Sequence, residues 1–121
     1  MKIWVIVPAY NEEQSLAGLL QEVKKEGVSV LAIDDGSIDN THIVAEKWAD
    51  IALHNIKNLG KGISLRKAIS HLLQETDFDY IITMDGDGQH SVDDLPKFLQ
   101  AARDGAFFVV GNRMEDPKGM P

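Results

Sequence analysis

The sequence predicts an α/β fold in which a mostly parallel sheet lies between two layers of helices. Three observations predict it. Five short apolar runs recur along the 121 residues, and stretches with helical spacing separate them. The unusual polar residues gather just after the apolar runs. Strands alternating with helices imply right-handed crossovers, and therefore helices on both faces of the sheet.

The elements follow in order. "KIWVIV" (2–7) reads as a strand buried on both faces. Leu16, Leu19, Leu20 and Val23 then repeat at helical spacing, with Asn11 and Gln14 as a capping pair and Gly27 as the stop. "VSVLAID" (28–34) is a second strand, followed by a helix from about Asn40 to Trp48. "IALH" (51–54) is a short third strand. A helix from about Gly62 to Glu75 places Leu65, Ala68, Ile69 and Leu72 on one face. "DYIITMD" (79–85) is the fourth strand. Ser91 with Asp94 opens a helix carrying Leu95, Phe98, Leu99 and Ala102, and "AFFVVG" (106–111) is the fifth strand. The architecture is Rossmann-like, a three-layer α/β/α sandwich.

Composition bounds the function. The chain is 44% hydrophobic and 26% charged, which describes one domain. A chain of this size buries about two-thirds of its unfolded surface. Cysteine is absent, so neither a disulfide nor a thiolate metal site can form. The apolar N-terminal run meets Pro8 too early for a signal or membrane helix. A net charge of −7 speaks against a nucleic-acid face, which needs clustered Lys and Arg. It leaves room for a nucleotide held through a divalent cation.

In parallel sheets ligands bind at the carboxyl ends of the strands. Here strand one ends in "PAYNEE", strand two in "DDGS", strand four in "DGDGQH" and strand five in "GNR". Asp85 and Asp87 at i, i+2 spacing point the same way, roughly 6.5 Å apart along the strand. Two carboxylates about 5 Å apart at an effective dielectric near 20 repel by roughly 3 kcal/mol, so something must offset them. Hard oxygen donors from Asp85, Asp87 and the Gln89 amide suit Mg²⁺ or Mn²⁺ carrying phosphate oxygens. His90 reads as an exposed turn residue. A calcium loop of the EF-hand type fails on counting, because His90 and Pro96 stand where Gly and Glu belong.

Asp34 or Asp35 ends strand two, where an acid hydrogen-bonds ribose or base, and helix capping accounts for Asp39 and Asn40. "NLGKGIS" (58–64) fails as a Walker loop, because Asn55 and Gly62 replace required residues. Lys61 at the start of the next helix either meets a nucleotide or stays solvated. Arg113 either meets phosphate or lies on the surface. No G-x-G-x-x-G follows strand one, which speaks against a nicotinamide cofactor.

"VIVPAYNEE", "AIDDGSIDNT", "NLGKGISLRKAI", "DGDGQH" and "GNR", in this order, resemble the nucleotide-sugar-binding half of family 2 glycosyltransferases, of GT-A fold. "MDGDGQH" followed by "DDLPKFL" and "GNR" looks most like the dolichyl- or polyprenyl-phosphate mannosyl- and glucosyltransferases. The resemblance spans essentially the whole chain. It implies that Pro8, Ala9, Tyr10 and Glu12 line the nucleotide pocket, with Asp35 or Asp34 at ribose or base. It implies a metal-binding Asp85 and Asp87, a third contact from Gln89, and Arg113 near the donor phosphates. The implied reaction moves a sugar from UDP or GDP, with inversion, to a polyprenyl phosphate or a glycan. Cytoplasmic placement, peripheral to the membrane in a longer protein, goes with it.

"GNRMEDPKGMP" follows the last strand without a closing helix. The expectation is that residues 1–121 form one donor-binding part whose acceptor half and catalytic base lie further on. Such a part would bind nucleotide, transfer sugar poorly, and self-associate through an uncovered sheet edge. Rival readings are a receiver-type phosphoacceptor domain, a nucleotidyltransferase and a non-catalytic nucleotide-binding domain. The first needs its acid pair after strand one, the second a Gly- and Arg-rich loop there, and "PAYNE" supplies neither.

Overall fold

A computed structural model describes residues 2–84, 96–97 and 99–100. β1 (Ile3–Ala9) lies inside the sheet with all seven residues buried. β2 (Ser29–Asp34) and β4 (Tyr80–Thr83) flank it, and β3 (Ile51–His54) lies beyond β2. The order is β3-β2-β1-β4 and every pairing is parallel. The helices are α1 (Glu13–Lys24), α2 (Thr41–Trp48) and α3 (Lys61–Glu75).

The strand period of two divides the core. Ile3, Val5, Val7, Val30, Ala32 and Ala52 pack against Leu16, Leu20 and Val23 of α1 and Ala45 of α2. Trp4, Ile6, Leu31 and Ile33 pack against Ala68 and Leu72 of α3. Leu16, Leu20, Val23 and Leu72 are wholly enclosed, each worth about 2 kcal/mol of apolar burial. α1 and α2 thus cover one face and α3 the other. Pro96, Lys97, Leu99 and Gln100 are helical, and Leu99 is buried in the α1 layer. The start of that helix and the expected strand at 106–111 lie outside the described residues.

β4 is shorter than the expected 79–85, and two further boundaries differ in ways that bear on the site. β1 runs on through Pro8 to Ala9 because its pairing with β2 continues to Ala9↔Asp34. Ile6 accepts from the Met84 N–H at 2.9 Å, so its peptide faces β4. Pro8, two residues on, faces the same way with no N–H to give. Among the described residues the β1–β4 register runs to Ile6↔Thr83.

The second difference concerns the start of α1. Asn11 and Gln14 do not cap the helix; Glu12 holds the cap position without a side-chain cap bond. Asn11 instead takes a left-handed φ of 53°, which Asn tolerates better than most residues, and its side chain turns to the loop after β2. Gly27, with φ 79°, ends α1 as expected.

Candidate functional site

The chain direction fixes where the site lies. From β1 the connections step outward to β2 and β3, and then α3 carries the chain back across to β4 on the other side of β1. The reversal makes a switch point between β1 and β4, and the crevice over their carboxyl ends is the expected ligand position. β1 leads there into Tyr10 and Glu12. β4 leads into Met84, the last described residue before "DGDGQH".

The loops after β1 and β2 are tied into one rim. The Asn11 N–H donates to Ser37 Oγ at 2.8 Å, and Asn11 Oδ1 accepts from the Ile38 N–H at 3.1 Å. The Glu12 N–H donates to Thr41 Oγ1 at 2.9 Å, and Glu13 Oε1 accepts from the Asn40 N–H at 3.3 Å. Pro8 and Ala9 are buried; the Pro8 backbone edge faces β4, and the Ala9 carbonyl accepts from the Asp35 N–H at 2.9 Å. Tyr10 is 45% exposed, so its ring stands on the rim. Glu12 is half-buried, and its carboxylate accepts from Ser15 Oγ at 3.3 Å.

The two consecutive acids part company. Asp34 continues the phase of Val30 and Ala32 and enters the α1–α2 face. Asp35 continues the phase of Leu31 and Ile33 and enters the α3 face. Asp34 is 0% exposed; it accepts from the Ser37 N–H and hydroxyl and faces His54 Nδ1 at 2.6 Å. Asp35 is 5% exposed. Its Oδ1 accepts from Asn55 Nδ2 at 2.9 Å and the Leu59 N–H at 2.8 Å. Its Oδ2 accepts from Asn58 Nδ2 at 3.0 Å and the Gly60 N–H at 2.9 Å. Those bonds use the four acceptor positions a carboxylate has. Burial alone would raise the Asp35 pKa, but the donors, led by the Leu59 N–H and the Asn55 amide, outweigh it and hold the carboxyl below its ordinary value.

The segment that imitates a phosphate loop therefore does cradle an anion, and the anion is Asp35. Sequence reasoning treated Asn55 only as a misplaced glycine. In the fold it is buried, donates to Asp35 and Ser64 Oγ, and accepts from Lys67 Nζ at 2.7 Å. Its signal in the sequence was an Asn, instead of an apolar residue, directly after the third strand. Lys61 is exposed at the first turn of α3. His42 and His54 were also missed, since neither belongs to a local motif.

Gly36 makes the loop packing possible. Its φ is 74°, and a Cβ there would stand 2.2 Å from the Lys57 carbonyl carbon and 2.4 Å from the Asn58 nitrogen. Only glycine lets the β2 and β3 loops touch. Asp85, Asp87, Gln89, His90 and Arg113 lie outside the described residues. Among the described residues no helix is long and apolar enough to cross a membrane.

Comparison with known proteins gives one consistent family. Residues 4–120 match the family described as Glycosyl transferase family 2. An uncharacterized protein of Methanocaldococcus jannaschii is 38% identical over 99% of this chain and 51% of its own length. The UDP-N-acetylglucosamine–dolichyl-phosphate N-acetylglucosaminyltransferase of Methanococcus voltae is 30% identical over 96% of this chain and 53% of its own. The chain thus spans about half the length of these relatives. The crystal structure of mannosyl-3-phosphoglycerate synthase from Rubrobacter xylanophilus superposes with a TM-score of 0.69 at 20% identity, over 84% of this chain and 36% of that one. The expected fold is therefore found, the GT-A type of α/β/α sandwich.

Proposed function

The chain belongs to glycosyl transferase family 2, and from that premise we propose that it holds the nucleoside diphosphate of a sugar donor in the crevice between β1 and β4. The observation that carries this reading is the switch point itself, with Tyr10 following β1 on the rim and the "DGDGQH" segment coming next after β4 in the sequence. The backbone edge of Pro8 and Ala9 would form the floor, with Tyr10 and Glu12 as the near wall. Asp35, its acceptor positions used, would act on the donor through the 55–60 loop that it organises, with Lys61 at the following helix start. Asp34 would order the Ser37 turn of the rim.

Asp85, Asp87 and Gln89 would hold Mg²⁺ or Mn²⁺, since hard oxygen donors suit those ions. The cation supplies Lewis-acid stabilisation of the charge that develops on the departing diphosphate. Arg113 would meet the same phosphates in bidentate fashion. The activity of the whole protein is then transfer of the sugar with inversion. The name of the Methanococcus voltae relative supports a lipid phosphate as acceptor. A phosphate acceptor arrives ionised and makes a smaller demand on a general base than a sugar hydroxyl does. Work at the cytoplasmic membrane surface fits such an acceptor.

The test is calorimetry of UDP and GDP with and without Mn²⁺. One nucleotide should bind more tightly with the metal, and Asp87→Ala should abolish that metal-dependent increment. Equal binding of either nucleotide with and without Mn²⁺ would sink the reading.

A further inference from the structure

We propose that Asp34, His42 and His54 form a second cation site, for a borderline divalent ion of the zinc type, apart from the oxygen donors that follow β4. The three residues come from the end of β2, the first turn of α2 and the end of β3. One ligand atom from each lies within 4.8 Å of the other two. Two imidazoles and a carboxylate suit Zn²⁺ and its neighbours, and they suit Mg²⁺ poorly.

A hydrogen-bonded cluster without a metal explains only part of the geometry. His54 Nδ1 meets Asp34 Oδ2 at 2.6 Å, and that pair is complete by itself. His42 is not. Its ring centroid lies 4.8 Å from that of His54, and its Nδ1 is shut away from solvent with no hydrogen-bond partner. A buried polar nitrogen left unpaired is costly, and a cation between the rings would satisfy it.

The surroundings are those of a metal site. The second oxygen of Asp34 is held by the Ser37 N–H and hydroxyl, which orients the carboxylate as outer partners do for metal ligands. The His54 side chain is 43% exposed, which gives an entry path and room for water in the fourth position. Ligand atoms around zinc stand about 3.4 Å apart, so the 2.6 Å hydrogen bond between His54 and Asp34 has to give way to the ion as the three side chains adjust around it. The site is centred on the ends of β2 and β3, to one side of the crevice between β1 and β4. β3 lies three strand spacings from β4, about 14 Å. An ion here would clip the first turn of the short helix α2 to the ends of β2 and β3.

The experiment is a zinc titration of the chain by calorimetry, repeated on three variants, with circular dichroism to verify folding. One Zn²⁺ per chain is expected, together with a raised melting temperature. His42→Ala and His54→Ala should each weaken binding at least tenfold. Asp87→Ala should leave it within twofold. His54 is the partly exposed member of the cluster, and the circular dichroism of each variant shows whether a loss of binding is separate from a loss of fold. Substitution with Co²⁺ should give the visible absorption of a four-coordinate site, and His54→Ala should remove it. No stoichiometric binding, binding unmoved by both histidine variants, or binding lost in Asp87→Ala would each overturn the proposal.

Discussion

Asp34 and Asp35 are neighbours in the chain, yet they serve opposite faces of the sheet. Asp34 meets Ser37 and His54 on the α2 side, and Asp35 meets Asn55, Asn58, Leu59 and Gly60 on the α3 side. The same tip of β2 therefore organises two loops at once, and the loss of either acid has its own signature.

Replacing Asp35 with Ala strands two amide side chains and two backbone N–H groups. Hydrogen bonds to a charged group are worth about 1.5–3 kcal/mol, and the orphaned donors add their own cost. Asp35→Ala is expected to lower stability by about 3 kcal/mol and the melting temperature by roughly 10 °C. Asp35→Asn should fail to rescue, because its NH₂ would face donors. A melting temperature within about 2 °C of the parent, on the same scale, would contradict this.

Acid should unfold the protein partly through the same group. The Asp35 pKa is lowered in the fold, since its donors outweigh burial, and Asp39 is lowered by Thr41 against the same burial cost. Both contributions are complete above the unfolded aspartate value of about 3.9 and are lost as pH falls through the lowered folded values. Melting temperature followed from pH 7 to pH 2 should drop on that acid limb, and Asp35→Asn should flatten it. An unchanged acid slope in the variant would rule Asp35 out.

Gly36→Ala puts a methyl group into the Lys57–Asn58 backbone at a left-handed φ. A loss of about 3 kcal/mol is expected from clash and strain together. Gly18→Ala is the control, because nothing lies within 4 Å of its Cβ position. That change should be neutral or slightly stabilising in urea unfolding.

Tyr10→Ala separates binding from folding. The ring is exposed on the rim, so stability should move by less than about 0.5 kcal/mol. Nucleotide affinity should fall about tenfold, or 1.4 kcal/mol, in the calorimetric assay. Undiminished affinity would remove Tyr10 from the pocket.

Local chemistry made much of the fold legible. Leu16, Leu19, Leu20 and Val23 announce α1 by their spacing, and "VIV" and "VLAI" announce buried strands, because burial against a sheet or helix face imposes a fixed period. The capping role expected of Asn11 and Gln14 was not legible. Whether an Asn side chain bonds its own helix or the Ile38 N–H depends on what the fold brings near it.

The sequence by itself determined the layer order, the parallel sheet and the carboxyl edge on which Asp34 and Asp35 stand, since each follows from periodicity and chain direction. Only the tertiary structure decided what the acids at the tip of β2 do. Pairing of β2 with β3 sets His54 and Asn55 beside Asp34 and Asp35, and packing of α2 adds His42. Contacts across twenty residues are made by strand register and loop packing, and no local pattern encodes them.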